Sequence, residues 1–169
     1  MRRFFLLTML LMCIPAMSQI RPVKRSPSAT QMIKTSCGNA VVWFDPAKWK
    51  HLLERPGLEV FSNSLVTRIE VISDPKPMTT SEVKKAFLAE LQSSYPNLRT
   101  IDSESRAVPG GDILFTEVTY RDNQLPMLVL SGFYGGPAGS LRVVLRTVRH
   151  LPNAGRTQYN ELLAGIEIR

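Results

Sequence analysis

The chain has 169 residues, of which 44% are hydrophobic and 21% charged, and its formal net charge is +7. This is the size and composition of one globular domain, and it excludes a collagen-like, coiled-coil or wholly disordered chain. Two cysteines and two histidines exclude a disulfide scaffold and leave little material for a metal site. We therefore expect one folded domain without a cofactor.

Residues 1–18 have the order of a secretory signal peptide. Residues 1–3 (Met-Arg-Arg) are basic, Phe4 to Ile14 is apolar, and Ala16-Met17-Ser18 supplies small residues for cleavage. The apolar run is much shorter than the roughly 20 residues of a membrane-spanning helix, which leaves an uncleaved anchor as the alternative. We predict cleavage after Ser18 and a periplasmic or secreted protein of a bacterium.

Much of the positive charge precedes the predicted domain. Six of the 21 Lys and Arg residues lie before residue 37, where no Asp or Glu occurs, so residues 37–169 carry a net charge of only +1. We interpret residues 19–36 as a flexible basic leader, because they offer little apolar area to bury. A nearly neutral domain argues against nucleic-acid binding. The leader offers a possible peripheral contact with an anionic membrane.

The predicted domain, residues 37–169, opens with strands. Residues 39–44 (Asn-Ala-Val-Val-Trp-Phe) are apolar on both faces and predict a buried strand. Residues 46–55 predict a short helix or irregular turn that starts after Asp45-Pro46. Residues 58–62 and 65–73 predict a hairpin that turns at Asn63-Ser64.

The strongest helix signal follows a rigid Asp-Pro-Lys-Pro connection. Thr79 and Glu82 have the spacing of a capping box, and Tyr95-Pro96 closes the helix. The side chains of the predicted inner stripe recur at helical spacing: Val83, Ala86, Phe87, Glu90 and Leu91.

After residue 97 the pattern becomes an antiparallel meander. Four strands are predicted, over residues 98–108, 113–120, 125–134 and 140–150, and a closing amphipathic helix over 157–164. We interpret the glycine-rich residues 135–139 as a hairpin turn, because they lack the Lys-Ser/Thr of a phosphate-binding loop. The order of elements predicts an α+β fold, with helices packed on a mostly antiparallel sheet.

Several segments resemble one known group of proteins. Phe44-Asp45-Pro46-Ala47-Lys48-Trp49 resembles the Tyr/Phe-Asp-Pro-x-x-Trp opening of the PsbP-like and Mog-like α/β/α sandwich superfamily, and Leu130 to Ser140 and Leu162 to Ile166 fit later parts of it. The resemblance covers residues 37–168 and implies an α/β/α sandwich. It also implies a binding or accessory domain, since most members are not enzymes. The matching motifs are structural, so no functional residue is carried over.

No compact catalytic motif occurs in the sequence. Cys37 with His51 or His150 could form a nucleophilic pair, and Cys37 could also form a disulfide between chains. The simplest interpretation of Cys37 is a half-buried thiol. Trp43 and Trp49 are interpreted as core anchors. The oligomeric state stays open.

The last predicted strand carries the candidate partner-binding residues. Period-two alternation places Arg142, Arg146 and His150 on one face, with Arg149 nearby. This basic patch would suit an acidic partner, an anionic lipid or an envelope polymer. The alternative is a half-solvated sheet face, with Glu117 as a possible counter-charge. We predict an exported, non-enzymatic domain that binds a protein or envelope partner. The alternative is an exported hydrolase with a non-contiguous active site.

Overall fold

The structure, a computed structural model, describes residues 21–63, 67–148 and 152–169. The predicted signal peptide lies outside these ranges. Within them the chain forms eleven strands and two helices. The strands are β1 (Arg21–Pro22), β2 (Gln31–Lys34), β3 (Ala40–Phe44), β4 (Lys50–Arg55), β5 (Leu58–Ser62), β6 (Arg68–Asp74), β7 (Arg99–Val108), β8 (Gly111–Asp122), β9 (Leu125–Gly136), β10 (Gly139–Val148) and β11 (Ile166–Ile168). The helices are α1 (Thr80–Ser94) and α2 (Pro152–Leu163).

Eight of the described strands form one large sheet, in the order β1-β7-β8-β9-β10-β6-β5-β4. The predicted meander from β7 to β10 is antiparallel throughout. Strand β10 also lies antiparallel to β6, with Val143 opposite Val71. Only the two-residue pair of β1 with β7 is parallel within this sheet. The predicted α+β fold with a mostly antiparallel sheet is confirmed.

Side chains of the sheet alternate between two apolar clusters. On β10, Leu141 and Val143 belong to the larger cluster, together with Tyr159 of α2. Val144 belongs to the smaller cluster, which includes Phe87 of α1. Alternate side chains of the same strands therefore point to opposite faces of the sheet, and each helix packs its apolar side chains on one of these faces.

The small sheet has the order β11-β3-β2 in the described part of the chain. Ile33 of β2 and Ile166 of β11 lie opposite Val42 on the two sides of β3. The described part of the predicted flexible leader thus contributes β2 here and β1 to the large sheet. Ile33 packs on the core, and the Arg25 guanidinium lies 4.3 Å above the Trp43 ring. Residues 21–36 make these two contacts without a periodic pattern of apolar residues, so the sequence alone does not indicate that they pack on the domain.

Residues 50–55 form strand β4, so the prediction of a helix or irregular turn over 46–55 is wrong in its second half. Asp45 ends β3 in a tight turn, because its Oδ1 accepts the Ala47 N–H at 2.9 Å and its carbonyl accepts the Trp49 N–H at 2.9 Å. A hydrogen bond from Ser28, and next the one from Ala47, lowers the pKa of Asp45. An Asp-Pro pair starts turns as readily as helices. Trp49 is buried as predicted, whereas Trp43 is only partly buried.

Helix α1 has the predicted capping box. Thr79 Oγ1 accepts the Glu82 N–H at 3.3 Å, and Glu82 Oε2 accepts the Thr79 N–H at 2.7 Å. Tyr95 caps its end. Of the predicted inner stripe, Val83, Phe87 and Leu91 are buried, whereas Ala86 and Glu90 are exposed.

The closing segment is longer than the sequence predicts. Helix α2 starts at Pro152 instead of residue 157, and β11 was not predicted. The predicted hairpin turn before β10 is present, and Gly139 adopts a φ of +117° there, where a Cβ would meet the Asp74 carbonyl oxygen. Glycine alone fits this position without strain.

Candidate functional site

Two of the four predicted partner-binding residues lie on β10, while Arg149 and His150 lie outside the described residues. Arg142 and Arg146 alternate with Val143 and Leu145 and therefore share the face of the sheet that carries α1. The sequence prediction of a shared face holds for this pair.

Each of these arginines has a carboxylate partner. Arg142 Nη1 lies 3.2 Å from Glu90 Oε2 on α1, and Arg146 Nη1 lies 3.1 Å from Glu70 Oε2 on β6. Glu117, the counter-charge suggested by the sequence, binds Arg156 of α2 instead. The arginines of β10 are thus largely neutralised by their own neighbours, and a partner would have to compete with Glu90 and Glu70.

A groove of about 420 Å³ runs beside α1, over the ends of β5, β6 and β10. It exists because α1 packs mainly on β9 and β10 and leaves the same face of β5 and β6 open. We call it the α1 groove. Its lining combines apolar side chains with charged ones: Leu58, Ile72, Met78, Val83, Ala86, Arg55, Asp74, Glu90 and Arg142.

One cross-strand row forms the floor of the α1 groove. Arg55 lies opposite Leu58, Leu58 opposite Ile72, and Ile72 opposite Arg142. Two half-buried apolar side chains are therefore flanked by an arginine at each end. Arg142 is paired with Glu90, whereas Arg55 has no carboxylate partner among the described residues.

Strand β4 extends this surface to the edge of the sheet. In the described part of the chain no strand covers its outer side. Leu52 and Leu53 are 59% and 52% exposed, one on each face of the strand. An uncovered edge with exposed leucines is unusual, because such strands pair readily with other chains.

A second polar cluster lies at the base of β4 and β5. His51 Nε2 lies 2.6 Å from Glu59 Oε2, and Ser36 Oγ donates to Glu59 Oε1 at 3.0 Å. The carboxylate thus separates the hydroxyl from the imidazole, whereas nucleophilic catalysis needs the two in direct contact. Cys37 is a half-buried free thiol, and the structure pairs His51 with Glu59 instead of with Cys37.

Metal-binding clusters and membrane-spanning helices are both absent from the ranges that the structure describes. No three side chains of His, Cys, Asp or Glu gather there in a way that could hold a metal ion. Neither α1 nor α2 has the length and apolar character needed to span a bilayer.

The row that forms the groove floor is not apparent in the sequence. Arg55, Leu58 and Ile72 come from three strands, and only their register brings them beside Arg142. The prediction of a helix or turn over residues 46–55 placed Arg55 outside the sheet and so concealed its position opposite Leu58. The Pro56-Gly57 turn was the available signal, since a two-residue connection marks a hairpin.

The sequence matches no family model and no curated protein. Solved structures match by fold. Cyanobacterial PsbP (CyanoP) from Synechocystis sp. PCC 6803 is 14% identical with a TM-score of 0.56, over 85% of this chain and 95% of that chain. LpqN of Mycobacterium tuberculosis, a protein involved in cell envelope biogenesis, is 12% identical with a TM-score of 0.50, over 73% and 79% of the two chains.

A crystal structure from Bacteroides thetaiotaomicron VPI-5482 is 12% identical with a TM-score of 0.51 over 83% of this chain. This chain spans about half of that one, 49% of its length. These similarities support a PsbP-like fold, as the resemblance in the sequence implies. At such identities they identify the fold alone.

Proposed function

We propose that the protein is an exported accessory domain that binds a protein partner of the cell envelope in the α1 groove and carries out no chemistry of its own. The observation that carries this proposal is the row Arg55, Leu58, Ile72 and Arg142 on the groove floor. Apolar side chains framed by cations offer both burial and orientation to a peptide segment.

The chemistry of the row defines the partner segment. Leu58 and Ile72 would bury an apolar side chain, and Arg55, which lacks a carboxylate partner in the described part of the chain, would pair with a neighbouring Asp or Glu. The partner is therefore an extended segment that carries an apolar residue next to an acidic one. Arg142 would contribute by exchanging Glu90 for this carboxylate.

The proposal includes export of the protein by a cleavable signal peptide and an α/β/α sandwich fold. The basic, apolar and small-residue order of residues 1–18 supports a cleavable signal peptide. The involvement of LpqN in envelope biogenesis, on a similar fold, supports a role in the envelope. The two clusters under α1 and α2 support an α/β/α sandwich.

Site-specific photo-crosslinking tests the proposed surface. Ala86 and Ala89 are both exposed on α1, but of the two only Ala86 lines the α1 groove. The full chain, produced in its own cells, would carry a photoreactive residue at one or the other position. We expect a discrete adduct from position 86 and not from 89, and loss of that adduct on Arg55→Glu.

Two outcomes would overturn the proposal. Equal labelling from both positions would mean that the groove is not selective. An adduct that persists in Arg55→Glu and also in Ile72→Glu would mean that the row does not hold the partner. Circular dichroism of each variant establishes that the fold is retained, since Arg55 is exposed and Ile72 only half-buried.

A further inference from the structure

We infer a second binding site, specific for a phosphate group, beside the start of β7 and the end of β8 and separate from the α1 groove. A pocket of about 340 Å³ lies there, with a polar lining. It is formed by Asn97, Arg99, Thr119, Tyr120, Arg121 and Pro126. None of these residues takes part in the proposed partner-binding surface.

The charge of this pocket lacks compensation. Most arginines of the described chain face a carboxylate, among them Arg68, Arg106, Arg142, Arg146, Arg156 and Arg169. Arg99 and Arg121 have no such partner among the described residues, and both are exposed. No Asp or Glu lines the pocket. Two positive charges therefore meet in one concavity, where an anion would relieve their repulsion.

The strand register places the donors together. Arg99 lies opposite Thr119, and Arg121 follows two residues later on the same face of β8. Asp122 alternates to the other face. Asn97 Oδ1 accepts the backbone N–H of Arg121 at 3.1 Å, which fixes the amide and leaves its NH₂ group available to donate.

The strand that carries the pocket is anchored from its other face. Tyr120 alternates with Thr119 and Arg121, and its buried ring stacks on Tyr95 on the α1 side of β8, with the centroids 3.9 Å apart. Pro126, opposite Arg121, has no N–H and a fixed φ. An anchored backbone beneath the pocket reduces the conformational entropy that is lost when a ligand binds.

The donor set fits phosphate. The forked guanidinium groups of Arg99 and Arg121 are donors only, and the Asn97 amide and the Thr119 hydroxyl can donate as well. The forks match the oxygen spacing of phosphate, and the remaining donors suit a group with more than two oxygens. Free phosphate and a lipid phosphodiester share this chemistry.

NMR titration of the folded protein at constant ionic strength tests the site, with inorganic phosphate as the probe and acetate as the comparison. We expect phosphate to shift the amides of residues 97–99 and 119–121. Arg99→Gln and Arg121→Gln should each weaken binding about tenfold, ~1.4 kcal/mol. Lys85→Gln removes the same charge from an exposed side chain of α1 that lines neither the pocket nor the α1 groove, and should bind phosphate as the parent does.

Phosphate shifts that are absent, or that survive both pocket substitutions unchanged, would overturn the site. Acetate binding as tight as phosphate would overturn its specificity. Sedimentation with phosphatidylglycerol vesicles, against phosphatidylcholine vesicles, then distinguishes the two sources. Vesicle binding that falls in Arg99→Gln assigns the pocket to a lipid headgroup, and phosphate binding without vesicle binding assigns it to a soluble phosphate.

Discussion

Arg156 of α2 donates two hydrogen bonds to the carboxylate of Glu117 on β8. Only 4% of the Glu117 side chain is exposed, against 40% for Arg156. Arg156→Met would leave a buried carboxylate without its counter-charge. We expect the free energy of unfolding, measured in urea, to fall by about 2–3 kcal/mol, less than for a fully buried pair because water reaches Arg156.

A double substitution separates the charge from the packing. Glu117→Leu with Arg156→Met should recover most of the lost stability, since no buried charge remains. Arg169→Met, which removes the exposed ion pair with Glu167, serves as the control and should cost less than about 1 kcal/mol. Equal losses in Arg156→Met and Arg169→Met would contradict the structural role given to Arg156.

Two glycines should respond to alanine with opposite signs. A Cβ at Gly132 would lie 2.9 Å from Ile113 Cγ2 and 3.0 Å from the Tyr159 hydroxyl, so Gly132→Ala should destabilise by about 1–3 kcal/mol. At Gly155, inside α2, the nearest atom would be Leu145 Cδ2 at 3.4 Å. Gly155→Ala should therefore stabilise by about 0.5–1 kcal/mol, since alanine favours the helix. Thermal and urea unfolding measure the change in the free energy of unfolding of each variant. A change of the same sign in both variants would contradict the different surroundings of Gly132 and Gly155.

The capping box of α1 should contribute to stability in a pH-dependent way. The Thr79 N–H, and next its hydroxyl, lower the pKa of the Glu82 carboxyl. Because the folded-state pKa is the lower one, this stabilisation is present above the unfolded-state pKa of about 4.3 and is lost as the pH falls through the folded-state pKa. Glu82→Gln should therefore show a flatter loss of stability below about pH 4.5 than the parent.

The cap itself is tested at neutral pH. Thr79→Ala should lower the free energy of unfolding by about 1 kcal/mol, because the Glu82 N–H loses its acceptor. Ser81→Ala, an exposed position on the same turn, is the control and should change little. The hypothesis fails if both alanine variants lose the same stability.

Tyr120 should make stability fall at alkaline pH. Burial, and next the neighbouring Tyr95, raise the pKa of Tyr120 to about 12. The folded-state pKa is the higher one, so this stabilisation is complete below the unfolded-state pKa of about 10 and is lost as the pH rises toward 12. Tyr120→Phe should therefore have a shallower decline in the free energy of unfolding between about pH 9.5 and 11.5. Identical slopes would contradict the burial of this hydroxyl.

The parts of the fold that the sequence predicts are those with local signals. Helix α1 follows from Thr79 and Glu82, and the meander from period-two alternation between its turns. Strand β4 lacks such a signal, because all but one of its side chains are exposed and no alternation results. Strand β2 has only one side chain that is not exposed, so its short sequence shows no alternation, and β11 depends on pairing with β3, which lies far away in the chain.

The same limit applies to the surfaces. Alternation along β10 correctly put Arg142 and Arg146 on one face, but their partners Glu90 and Glu70 come from elements far along the chain. Arg99 and Arg121 converge only through the register of β7 and β8. Charge that looks free in a sequence can be paired in the fold, and isolated arginines can become neighbours.

The pairing of β3 with β11 also bears on the order of folding. Val42 lies opposite Ile166, so the sheet that covers one side of the core joins the two ends of the described chain. A ribosome delivers residues 166–168 after every other described strand, and forming contacts between residues so far apart in sequence is slow. One edge of β3 therefore stays unpaired until β11 has been synthesised, and deleting residues 166–168 would leave Val42 without its cross-strand partner.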